Sequence, residues 1–332
     1  MREFKIHPHN PVSCFTMKGY HTWCASVIRD PQGKFHLYAS AWPEETGHNG
    51  WVTHSMIVHA TSDDPLGPFE YCNVVLGSQE EDVWDRDVAH NPTVIQANGK
   101  WYLYYMGNQG NGEFWDHRNK QRIGVAVANH PDGPFERQTD PLLLPGRDGA
   151  WDDLLTTNPS CTQAPDGRFV LIYKAVSSKG EAPRYGSVRH GVAFSSSPTG
   201  PFEKHPEPIF QCPGATFAAE DPFLWCQDGR FFCILKDMAH NFTGHERALI
   251  LFSSADAMDW ALEEHPIVST RRILQADGIY TEYERMERPQ LYLEDGLPSV
   301  LYAAVKPERD SDKSYNIHLR IEFANGDSNI RP

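Results

Sequence analysis

Two short acidic phrases, Glu220-Asp221-Pro222 and Glu287-Arg288-Pro289, carry the residue types that could do chemistry. Paired carboxyls serve acid–base work when one is held protonated and the other ionised. Crowding them in a partly desolvated cavity pushes their pKa values apart. Glu287 is expected as the acid and Asp221 as the base, with Glu220 able to replace either. Structural alternatives stay open at this point: Glu287 could pair with Arg288 or a lysine, and Asp221 could cap the turn before Pro222.

The elements that must position these groups emerge from a repeat. WDRDVAHNP (84–92) and WDDLLTTNP (151–159) are one phrase written twice. Extending the alignment gives five segments: CASVIRDPQGKFHLYAS, NPTVIQANGKWYLYYM, NPSCTQAPDGRFVLIYK, DPFLWCQDGRFFCILK and RPQLYLEDGLPSVLYAA. They recur at intervals of 67, 67, 63 and 67 residues, and such a period signals a repeat architecture. Each segment is an apolar strand, a glycine turn and an alternating aromatic strand, which reads as a hairpin. A third strand follows, and GPFE (67–70, 133–136 and 200–203) then turns three of the units into a fourth; Asp259-Trp260 takes that place in unit four.

Four antiparallel strands repeated five times predict an all-β, five-bladed β-propeller of four-stranded antiparallel blades. It is expected as a single domain over 1–332, with inner strands starting near 24, 91, 158, 221 and 288 and REFKIH closing the ring. Trp84 and Trp151 are expected to plug neighbouring blades together. The innermost strands then meet at one axial pocket. Its expected substrate-binding residues are Trp23, His90, Asn91, Asn158 and Arg288, with Lys174 and Lys236 at the rim and Asp87 from a loop. Asp85 and Asp152 repeat with their tryptophans and read as scaffold. His54, His59, His240 and His245 read as structural or loop residues. No metal motif is present and no cofactor is required, although an oxygen-rich ring admits a central divalent cation.

With its blades, its acidic Pro motifs and its GPFE turns, the chain resembles the five-bladed propeller glycoside hydrolases: family 43 and its relatives in families 32, 62, 117 and 130. The resemblance spans nearly the whole chain. In family 43 it implies an Asp base in blade 1, an Asp in blade 2 that tunes the acid, and a Glu acid in blade 3. Here Cys24, Asn91 and Asn158 occupy those blades, so that triad does not transfer. Family 117, which uses acidic residues with a His acid, is the nearer analogy, and no single His matches it. The implied activity is an exo-acting, inverting glycosidase that takes a terminal sugar from an oligosaccharide, with rim cations that suit an anionic or anhydro unit. A glycoside phosphorylase or transferase on this fold, or a non-catalytic carbohydrate-binding propeller, is the alternative.

The 332 residues carry a formal charge of −14 and no basic run longer than Arg271-Arg272. That composition excludes nucleic acid and anionic membrane as partners; oligomeric state is not readable. Seven cysteines without a zinc pattern read as reduced core thiols. The lack of a signal-peptide pattern predicts a cytoplasmic protein, or a periplasmic one if a leader has been removed from the chain.

Overall fold

Five antiparallel sheets follow one another along the chain. The computed structural model describes residues 2–325. The innermost strands are Tyr20–Arg29, Val88–Ala97, Leu155–Gln163, Ala219–Gln227 and Arg285–Glu294. Each packs against the one before and after it, the fifth against the first, so the sheets close into a five-bladed propeller as expected. Asn98-Gly99, Asp228-Gly229 and Asp295-Gly296 all have positive φ at both residues. These are the residue pairs that make two-residue hairpins whose twist matches the flanking strands.

Closure follows from burial. Five apolar clusters lie one at each blade–blade boundary, so every sheet buries both faces. Arg2–Ile6 completes blade 5 as its outermost strand, with Phe4 opposite Phe323 and their rings stacked at 4.5 Å. Joining the first strand to the last covers a free sheet edge. In blades 1 to 3 the outer strand starts at the glutamate of each GPFE, namely Glu70, Glu136 and Glu203. A hairpin of Arg272–Leu274 with Tyr280–Glu282 and two short helices, Trp51–His54 and Phe114–Asn119, are additions with no repeat signature. No helix among the described residues is long and apolar enough to cross a membrane.

The WD phrase is scaffold. Trp84 stacks on Tyr105 and Trp151 on Tyr173, each a tyrosine of its own blade, and both indoles also border the core shared with the preceding blade. A Cβ on Gly124 or Gly191 would lie 2.8 or 2.7 Å from the respective indole, so glycine is what lets the ring lie flat. Buried Asp85 accepts from the Tyr105 hydroxyl at 2.6 Å and faces Arg137 of the outer strand at 3.1 Å. Asp152 repeats the pattern with Tyr173 at 3.2 Å and Lys204 at 2.6 Å. Each carboxylate thus ties a second strand to a fourth. Asp152→Asn is expected to cost about 1–3 kcal/mol in urea unfolding through the unsatisfied Lys204, while leaving the axial pocket intact.

Candidate active site

Every innermost strand is interrupted at the same place. Its register with the second strand slips between Trp23 and Ser26, His90 and Thr93, Thr157 and Ser160, Glu220 and Phe223, and Glu287 and Gln290. One residue in each slip adopts the left-handed conformation: Cys24, Asn91, Asn158, Asp221 and Arg288, with φ of 52, 54, 51, 60 and 52°. Asn and Asp tolerate that region, whereas for Cys24 and Arg288 it costs on the order of 1–3 kcal/mol each. Proline follows in four of the five blades. It lacks an N–H, and a bulge is where a sheet can accommodate that. The positions expected to begin the inner strands therefore lie inside them, as bulges that aim one side chain per blade at the axis.

Those five side chains are linked in series around the axis, and Cys24 Sγ completes the circuit by donating to the Pro92 carbonyl next to Asn91. Asn91 Nδ2 donates to Asn158 Oδ1 at 2.8 Å, and Asn158 Nδ2 to Asp221 Oδ1 at 2.9 Å. Arg288 Nη1 lies 3.7 Å from Asp221, and Arg288 Nε donates to Cys24 Sγ at 3.2 Å. Above this floor, Lys236 Nζ stands 2.8 Å from Glu220, 2.8 Å from Glu287 and 3.7 Å from Asp221. Lys174 Nζ holds the other oxygen of Glu220 at 2.6 Å. Of the two lysines expected at the rim, Lys236 is instead inside at 2% exposed, while Lys174 keeps 17% of its side chain exposed.

This arrangement separates the carboxyls electrostatically. Burial pushes Glu220 up, but the two ammonium groups outweigh it and hold the carboxyl well below its usual range. Burial and then the Glu220 charge push Asp221 up, against the pull of Lys236 and Arg288. His90, stacked on Trp51 and bonded to Ser55 at 2.7 Å, is driven well below its ordinary value by burial and by nearby cations, and stays neutral. Three carboxyls, one clamped ionised by two ammonium groups and one made more basic by burial, are the components of acid–base chemistry.

Trp23, His90, Asn91, Asn158, Lys174, Glu220, Asp221, Lys236, Glu287 and Arg288 all line one cavity of about 230 Å³. Asp87 does not. It lies in a separate cleft, paired with Arg86 at 2.8 Å and accepting from the Gly110 amide at 2.9 Å, because its loop turns outward before the inner strand begins. The residues that sequence reasoning passed over are Trp42, at the end of the second strand of blade 1, His48 and Trp51, from the connection that follows it, and Arg285, Met238 and Arg247. Connections of similar length follow the second strand in blades 2, 3 and 4, so the aromatic residues of the blade 1 connection, and not its length, were the available signal. Asp237 organises its own loop by accepting from the Asn241, Phe242 and Thr243 amides. A divalent cation on the axis does not fit this ring, since Lys236 and Arg288 already bring two positive charges to its carboxylates. Among the described residues, the only metal-suited cluster is His36, His59 and Asp132, away from the axis.

Fold and pocket together define a five-bladed propeller of the kind found in glycoside hydrolases. A family 117 glycoside hydrolase of the marine bacterium Zobellia galactanivorans superposes with a TM-score of 0.69, covering 97% of this chain and 90% of that one at 19% identity. A thermostable family-43 glycoside hydrolase superposes with a TM-score of 0.67 over 98% and 95% of the two chains at 15% identity. In sequence, a β-xylosidase of Xylanibacter ruminicola is 25% identical over 144 residues, 38% of this chain and 40% of that protein. The matched part is thus less than half of that relative. No family model matches the chain.

Proposed function

We propose that the protein is a glycosidase that removes a terminal, negatively charged sugar from an oligosaccharide, with Glu287 as proton donor and Asp221 as base. The observation that carries this reading is the set of three carboxyls gathered around one buried ammonium at the floor of a pocket. Glu287 donates its proton to the leaving oxygen as the glycosidic bond breaks. Asp221, raised by burial and so the more basic carboxylate, takes the proton of the attacking water. Glu220 stays ionised and fixes Lys174 and Lys236. The pairing rests on charge: two ammonium groups hold Glu220 ionised, which leaves Asp221 and Glu287, 3.7 and 2.8 Å from Lys236 Nζ, for proton transfer.

Pocket size and charge support the substrate class. About 230 Å³ is below the range that holds larger ligands, which suits one terminal unit. Trp23, Trp42 and Trp51 offer an apolar wall to a sugar ring. Five cationic side chains against three carboxyls line a cavity in a chain of net charge −14. Arg285 Nε and both terminal nitrogens of Arg288 are buried without a hydrogen-bond partner, donors suited to a carboxylate or sulfate. Seven free cysteines favour a reducing compartment, and we place the protein in the cytoplasm.

Assay on matched oligosaccharides ending in a uronic acid or a neutral sugar tests this. Turnover is expected on the acidic set. Arg285→Gln should raise KM there by about tenfold to a hundredfold, the size of a lost charge-assisted hydrogen bond, with kcat little changed. Preference for neutral ends would overturn the substrate class. A second reading, a non-catalytic sugar-binding propeller, draws on the clamping of Glu220 and the absence of acids at Cys24, Asn91 and Asn158; binding without turnover on both sets would favour it.

A further inference from the structure

On the outer part of the boundary between blades 1 and 2, two imidazoles and a carboxylate converge. His36 and His59 are 2% and 1% exposed and lie on adjacent strands of blade 1. His36 Nδ1 is 3.0 Å from His59 Nε2. Asp132 Oδ1 comes from the turn between the third and fourth strands of blade 2 and stands 3.5 Å from the first nitrogen and 3.9 Å from the second. The Tyr38 hydroxyl, whose ring stacks on His59, donates to the Pro131 carbonyl and holds that turn against blade 1.

The outward sides of both rings are engaged. His36 Nε2 faces the Asp30 carboxylate at 3.2 Å, and Asn73, directly opposite His59 in the sheet, hydrogen-bonds that ring. A neutral imidazole carries one N–H. If that proton is directed to Asp30 in His36 and to Asn73 in His59, the two facing nitrogens are bare lone pairs, with a carboxylate as the third acceptor. Three converging acceptors at van der Waals distance repel one another unless a cation lies among them.

We propose that His36, His59 and Asp132 bind a divalent first-row transition ion, zinc in the first instance, which staples blade 1 to blade 2. Two imidazoles and one carboxylate are a ligand set that suits zinc, and tetrahedral bonds of about 2.0–2.1 Å put neighbouring ligand atoms roughly 3.3 Å apart. The observed separations bracket that value. Asp30 and Asn73 orient the ligating rings from behind, as outer partners do at metal sites. Asp132 is 58% exposed, which leaves the fourth position to water and gives the ion a way in.

The test is zinc titration of the chelator-stripped full chain, read by calorimetry and thermal melting, with cobalt substitution as a geometric probe. One equivalent is expected to bind, to raise the melting temperature, and with cobalt to give the visible absorption of a tetrahedral site. Asp132→Asn, at an exposed position that should leave folding unharmed, is expected to weaken binding about a hundredfold and remove the melting shift. Asp30→Asn should weaken it about 10–100-fold by freeing His36. Failure of the parent chain to bind an equivalent, or an equivalent that persists in Asp132→Asn through other surface histidines, overturns the proposal. Neither result bears on the axial pocket.

Discussion

Glu287→Gln is expected to lower kcat by about 10²–10⁴, the share that a positioned proton donor supplies, with KM changed by no more than a few-fold. The amide keeps the shape of the side chain and can still receive a hydrogen bond from Lys236, now 2.8 Å from Glu287 Oε1, but it has no proton to give. Two controls make the reading specific. Substrates with a good leaving group, which need no proton, should recover much of the lost rate. Asp152→Asn, whose carboxylate ties strands together outside the pocket, should leave kcat unchanged. If Glu287→Gln retains full activity on poor leaving groups, the acid lies elsewhere and the assignment fails.

The second large effect concerns stability. Lys236→Met leaves Glu220, Asp221 and Glu287 crowded together without the ammonium that all three face. Removing one partner of a buried ionic cluster costs about 3–5 kcal/mol, since the remaining charges stay desolvated. The pH dependence has a definite sign. Burial alone would lower the Lys236 pKa, and the three carboxylates outweigh it and raise it. Its stabilisation is therefore complete below the ordinary lysine pKa and is lost only as pH climbs through the raised folded value. Glu220 is depressed, so its contribution is present above the ordinary carboxylate range and is lost as pH falls through the depressed value. In Lys236→Met the carboxylates ionise against each other, so the deficit relative to wild type should be largest near pH 7 and shrink toward pH 4. Adding Glu220→Gln to Lys236→Met should restore part of the loss at neutral pH. A deficit below about 1 kcal/mol at pH 7, or one that does not vary with pH, would mean that the cluster is solvated and not a buried ionic site.

Much of the architecture was legible because a propeller writes its period into the chain. The hairpin pairs Asn98-Gly99 and Asp228-Gly229, the GPFE turns and the repeated WD carboxylates are local signals with local physical causes, and the structure places each in the role its chemistry suggests. The axial residues were legible for the same reason, since equivalent positions on five units must meet at one axis. Non-repeating segments were not. Asp87 looked functional because blade 3 has Leu154 at the equivalent position, yet the loop turns it outward to Arg86. Trp42 enters the pocket from the end of the second strand of blade 1, and His48 and Trp51 from the connection after it, at positions that no repeat signal marks. His59 read as an ordinary structural residue, and only the approach of Asp132 from the next blade makes it part of a ligand set.

The sequence by itself determined the number of blades, the strand grammar and the identities of the five axial residues, because periodicity and turn chemistry act between neighbours along the chain. Tertiary structure alone decided that each axial residue sits in a left-handed bulge, that Lys236 is buried among three carboxyls, and that two histidines of one blade meet an aspartate of the next. Those features depend on distances between residues far apart in the chain, and such distances exist only once closure of the ring brings the blades together.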